Sequence, residues 1–163
     1  MAYFELDDDR AVDTAYVAKT IFMASVFGLA IWEVWSRHTA PSLLEGEVSV
    51  ALILQYLLSL ESRLVAEALY FLVAGLTLGP LYLFVWRPLA QRFTNSRHWF
   101  VHGFSYGVAM AAVFFVGVLL ADYKTAYQSF SDPLLAGWLP GQILGGVGIA
   151  GMVRLREMGK QII

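Results

Sequence analysis

At 163 residues, 58% of them hydrophobic and only 15% charged, the chain falls well below the ~25% charge usual for a soluble domain. It has length for one compact bundle without a separate soluble domain. A formal net charge of −2 lacks the basic surplus a nucleic-acid partner requires. The absence of cysteine excludes a disulfide framework, a thiolate metal site and dithiol redox chemistry.

The chain opens on an acidic leader, Glu5, Asp7, Asp8 and Asp9. No small-residue cleavage pattern follows, so the first apolar stretch is expected to persist as a helix and not be removed as a signal peptide. That stretch, residues 17–35, carries only Lys19 and Glu33 as charges. It is long enough to cross ~30 Å of hydrocarbon, which takes roughly 20 apolar residues. Trp32 and Trp35 close it, as amphipathic rings do at the headgroup level.

Residues 45–62 come next, with an apolar centre too short to span. At 100° per residue, Glu45, Ser49, Gln55, Tyr56, Ser59 and Ser62 share one arc, while Ile53, Leu54, Leu57 and Leu58 share the other. This pattern predicts an amphipathic helix lying in the outer interface. A fifth, tilted span is the alternative, and it would place the leader on the opposite side.

Three further spans are expected at residues 64–86, 99–121 and 134–153. Trp86 and Trp99 sit at ends of the second and third, and Trp138 near the start of the fourth. Pro80 and Pro140 should kink or locally open their helices. The fold class predicted is an all-α membrane protein: four transmembrane helices in one bundle plus one interfacial amphipathic helix, forming a single domain.

Basic side chains give the orientation. Arg87, Arg92 and Arg97 follow the second span, and Arg154, Arg156 and Lys160 follow the fourth. Positive loops stay cytoplasmic, so both termini are expected in the cytoplasm, with a bacterial inner membrane or its equivalent as the location.

Small residues recur at spacing four: Gly137, Gly141 and Gly145 in the fourth span, Gly103 and Gly107 in the third, Gly75 and Gly79 in the second. Such positions let helix backbones approach closely in lipid. Within one chain they satisfy internal packing; any left over offers a face to partner helices.

Chemistry-bearing residues are few. His98 and His102 lie one turn apart at the start of the third span. No carboxylate on that helix completes a metal set with them. His102 alone has the position of an axial ligand to a haem or chlorophyll, with Gly103 giving clearance, or of a quinone or headgroup contact. The competing reading is two interfacial histidines reaching toward water. Glu33 with Arg37 and Glu67 with Arg63 have the spacing of local ion pairs. No phosphate-cradling loop, Ser–His–Asp order or zinc-protease spacing is present, and nothing in the sequence requires a cofactor.

The run Glu33-Val34-Trp35-Ser36-Arg37, followed by Glu45 and Glu47, resembles the end of the first span in the small membrane subunit of tripartite substrate-binding-protein-dependent (TRAP) transporters. Trp138-Leu139-Pro140-Gly141 leading to Arg154 is similar to that family's last helix. The resemblance implies four spans, interfacial helices and a much larger transporter chain as partner. The residues themselves predict a non-catalytic accessory subunit of a respiratory, photosynthetic or transport complex. Its expected partners are other integral membrane subunits and lipids, with no nucleic acid.

Overall fold

The computed structural model describes residues 14–43, 50–94, 98–125 and 131–161, and among them every regular element is helical. Helix is the form that satisfies each backbone N–H and C=O within its own segment, which an apolar surrounding demands. The elements are α1 (Thr14–Val34), α2 (Ala40–Leu43), α3 (Val50–Leu57), α4 (Arg63–Pro80), α5 (Arg87–Thr94), α6 (Trp99–Thr125) and α7 (Ser131–Gln161). A π-helical turn over Trp35–Thr39 joins α1 to α2, and another over Leu81–Trp86 joins α4 to α5. Two long rods result.

Among the described residues three helices are long and apolar enough to cross a membrane: Thr14–Ser42, Arg63–Phe93 and Trp99–Gly117. α7, at 31 residues, is longer than any of them needs to be. Its apolar character from Gly137 onward is diluted by recurrent glycine together with Pro140 and Gln142.

Pro80 acts on its helix as its chemistry requires. It has no N–H to offer and its ring crowds the carbonyl one turn back. The ladder widens to π geometry at the next residue, Leu81. Leu81 N–H is shared between the carbonyls of Leu78 and Thr77, and Leu78 O also accepts the Tyr106 hydroxyl at 2.8 Å. A side chain of α6 thus supports the altered backbone.

α7 packs along α6 and along α1, and α1 packs along α4. Two apolar clusters fill the bundle. Leu29, Trp32, Tyr70, Ala74 and Trp138 form one with Val50 and Ile53 of α3. Ala24, Tyr82, Leu83, Tyr106, Ile149 and Val153 form the other.

α3 departs from the helix expected over 45–62. Residues 45–49 lie outside the described part. The observed helix is only eight residues, Val50–Leu57, or about 12 Å at 1.5 Å per residue. It packs against α4 and α6, with Val50, Ala51 and Ile53 buried. Among the described residues it is a short wedge set into the bundle. The helix ends where Ser59 adopts φ 53. Leu60 N–H then reaches Gln55 O at 2.9 Å and Ser59 N–H reaches Tyr56 O at 3.3 Å. These two bonds satisfy carbonyls that a helix end leaves open.

Candidate functional site

The glycines of α6 and α7 define the bundle's closest contact. A Cβ on Gly103 would lie 2.8 Å from Gly146 O, and one on Gly146 would lie 2.5 Å from Gly103 O and 2.6 Å from Gly107 N. A Cβ on Gly107 would fall 2.5 Å from Ile143 Cα. Backbone meets backbone there, with the Ala150 methyl also 2.7 Å from a Cβ placed on Gly103. On the α1 side, Gly141 seats the rings of Trp35 and Trp32, and Gly145 faces Gly28 O. Gly79 lies against α1, where its N–H donates to the buried Ser25 hydroxyl at 2.8 Å.

Gly75 does not join this set. A Cβ there would meet nothing within 4 Å, and the same holds for Gly117. The spacing rule identifies the small residue and not which way it faces; Gly75 points away from the bundle.

Gly137 acts through its carbonyl. Trp35 Nε1 donates to Gly137 O at 2.6 Å across 102 residues of sequence. Pro140 lies one turn further along α7, in the stretch where its ring disturbs the helix ladder. Trp35 thus gives α7 an inter-helix donor in the turn that Pro140 disturbs, beside the carbonyl of Ala136 that the proline itself leaves without its helical partner.

Between α1, α4, α6 and α7 lies a cavity of about 20 Å³, lined by Trp32, Tyr70, Tyr106, Phe114 and Gln142 over Gly145 and Gly146. That is room for about one water molecule. Nearby, Trp138 is 4% exposed and meets Trp32 and Phe114 edge-on, at ring distances of 5.6 and 5.2 Å. Its Nε1 is buried without a hydrogen-bond partner. Trp138 is therefore a core residue and not an interfacial anchor.

The two histidines separate. His98 is exposed and His102 is buried at 3% exposure. His102 does not line the cavity, and the space beside Gly103 is taken by Ala150 and the α7 backbone. The clearance that a flat ring would need at Gly103 is occupied by protein. Among the described residues no group of three or more His, Cys, Asp or Glu stands close enough to hold a metal.

Charge gathers at both ends. At one, Arg37 Nε lies 2.5 Å from Glu33 and its Nη2 3.9 Å from Glu67, while Arg63 pairs with Glu67 at 3.4 Å. The paired spacing legible in sequence is thus cross-linked between α1 and α4. At the other end, Arg87 pairs with Glu157 at 2.6 Å, Arg154 lies 3.9 Å from the same carboxylate, and the Arg156 guanidinium stacks 4.8 Å above the Tyr16 ring. The Tyr16 hydroxyl donates to Arg156 O. Glu45 and Glu47, part of the transporter-like pattern, lie outside the described residues.

No family model, curated protein or solved structure matches the chain.

Proposed function

We propose that the protein is a non-catalytic accessory subunit of a multi-subunit integral membrane complex, with α7 as a fourth span and both ends of the bundle's chain in the cytoplasm. One observation carries this reading. Among the described residues, the space enclosed by α1, α4, α6 and α7 is a cavity of about 20 Å³, far below the ~300–1,000 Å³ of a substrate or cofactor pocket. Meanwhile α4 presents Leu64, Leu72 and Leu76 outward at 61–77% exposure, beside the open Gly75. An apolar helix side with an uncovered glycine suits a second membrane helix. The glycines of α6 and α7 no longer argue for partners, because helices of the same chain consume them.

Whether the complex is respiratory, photosynthetic or a transporter follows from what accompanies the protein in mild detergent. A TRAP-like subunit is expected to bring a much larger transporter chain. Gly75→Leu should leave the isolated protein's stability unchanged yet release a defined companion subunit; retention of every companion in that variant would refute docking through α4. For orientation, cysteines placed at Ser42 and Ser96 of this cysteine-free chain report sidedness through an impermeant thiol reagent. Labelling at position 96 and not at 42 in intact cells would reverse the topology.

A further inference from the structure

Gln142 places a carboxamide inside the bundle, two residues past Pro140 on α7, at 9% exposure. A carboxamide offers two N–H donors and an oxygen that can accept twice. Among the described residues none hydrogen-bonds to it. It is nonetheless not sealed in: the side-chain atoms that are both enclosed and unpartnered among the described residues are Trp138 Nε1 and Arg156 Nε. The opening it keeps is onto the cavity of about 20 Å³ between α1, α4, α6 and α7, which Gln142 lines.

Tyr106 and Leu78 line the same cavity. The Tyr106 hydroxyl donates to Leu78 O at 2.8 Å, which commits its proton and leaves its oxygen able to accept. A polar group on α7 thus shares, with an acceptor on α6, a space fit for about one water molecule. We propose that this cavity binds a single water molecule, which hydrogen-bonds the Gln142 carboxamide and donates to the Tyr106 oxygen, joining α7 to the α4–α6 pair. The volume excludes a larger ligand. No Asp, Glu, Lys, Arg or His lines the cavity, so nothing there balances an ion, and an unbalanced buried charge is costly. A neutral molecule of this size that both donates and accepts is water. An amide without a partner in apolar surroundings is itself costly, and a buried water held by roughly two to four hydrogen bonds is how protein interiors satisfy such a group. The site is built from α4, α6 and α7 of one chain and does not depend on a partner subunit.

The test uses the full-length protein purified in detergent. Gln142→Met keeps the length of the side chain and removes its donors and acceptor. A water-bound carboxamide loses its hydrogen bonds in that variant, and the thermal midpoint should fall by roughly 1–6 °C. A dry, unpaired carboxamide gives the opposite sign, because an apolar replacement then removes a penalty; a midpoint that holds or rises would overturn the proposal. Tyr106→Phe should cost less in the Gln142→Met background than alone, since one water serves both side chains, and additive losses would overturn the bridge. A second measurement leaves the chain unaltered. With glutamine and tryptophan nitrogens isotope-labelled, the Gln142 side-chain amide should show a magnetic-resonance cross-peak to water. The Trp138 indole N–H, enclosed and without a partner, is the control and should show none. A Gln142 amide without the water cross-peak, or a Trp138 indole with an equal one, would mean that no built water site exists.

Discussion

Substituting Gly146 by alanine adds one methyl group to the α6–α7 crossing. Three atoms meet it, Gly103 O at 2.5 Å, Gly107 N at 2.6 Å and Gly107 Cα at 2.9 Å. All are backbone, so no rotamer change relieves the clash. Ordinary Cβ contact begins at 3.4 Å, so the helices must separate by up to roughly 0.9 Å. A gap of 0.5–1 Å forfeits about a quarter to a half of each dispersion contact along the seam. Overpacking of this type costs ~1–3 kcal/mol, and for a chain of this size each kcal/mol corresponds to about 2–4 °C in Tm. Gly146→Ala should therefore lower the thermal midpoint of the detergent-solubilised protein by roughly 2–12 °C. Gly75→Ala is the matched control. Its Cβ enters open space, and it removes a helix-interior glycine penalty of ~0.8–1 kcal/mol, so its midpoint should hold or rise. A Gly146→Ala protein as stable as wild type, or a Gly75→Ala protein that loses as much, would refute the backbone-contact account.

Trp35→Phe keeps an aromatic ring but removes the donor to Gly137 O, and should cost ~0.5–1.5 kcal/mol for the lost inter-helix hydrogen bond. In the Pro140→Ala background the cost should shrink, because the straightened helix satisfies more of its own carbonyls; additive losses in a double-mutant cycle would count against this. Glu157→Gln should destabilise by ~1.5–3 kcal/mol, since a half-buried, hydrogen-bonded Arg87 loses its charged partner. Arg154→Gln, which removes a 46% exposed partner at 3.9 Å, should stay within measurement error. Ser59→Gly relieves a left-handed backbone at the end of α3, where the conformational cost is ~1–2 kcal/mol, offset in part by glycine's freedom in the unfolded chain. A net gain below ~1 kcal/mol is expected in reversible unfolding, and a loss would show that the Ser59 hydroxyl matters more than its φ.

The long helices were legible because an uncharged run of about 20 residues has few other physical explanations. Gly103, Gly107, Gly141 and Gly145 were legible as close contacts through spacing, whereas Gly75, in the same register, was not: periodicity orders residues around a helix without saying which side has a neighbour. The same limit applied to α3. Its apolar arc fits lipid and protein equally well, so the choice between lying on the bundle and being set into it depended on α4 and α6. The bond from Trp35 to the Gly137 carbonyl spans 102 residues, and a tryptophan near a helix end reads first as an interfacial anchor. His102 looked available in sequence because polarity near a span's start suggests water, yet the third dimension buries it.

The order in which the chain is made gives the α7 contacts another meaning. α1, α4 and α6 all leave the ribosome before α7, yet α1 and α6 each find their most extensive packing against α7. Until it arrives, the bare backbone strips at Gly28, Gly103 and Gly107 have only lipid to face, and the indole of Trp35 has no Gly137 carbonyl to reach. The first three long helices can be inserted one by one, but they cannot be locked one by one. Locking of this bundle is thereby deferred until α7 has been made, and a chain interrupted before it leaves those same strips open to the helices of other proteins.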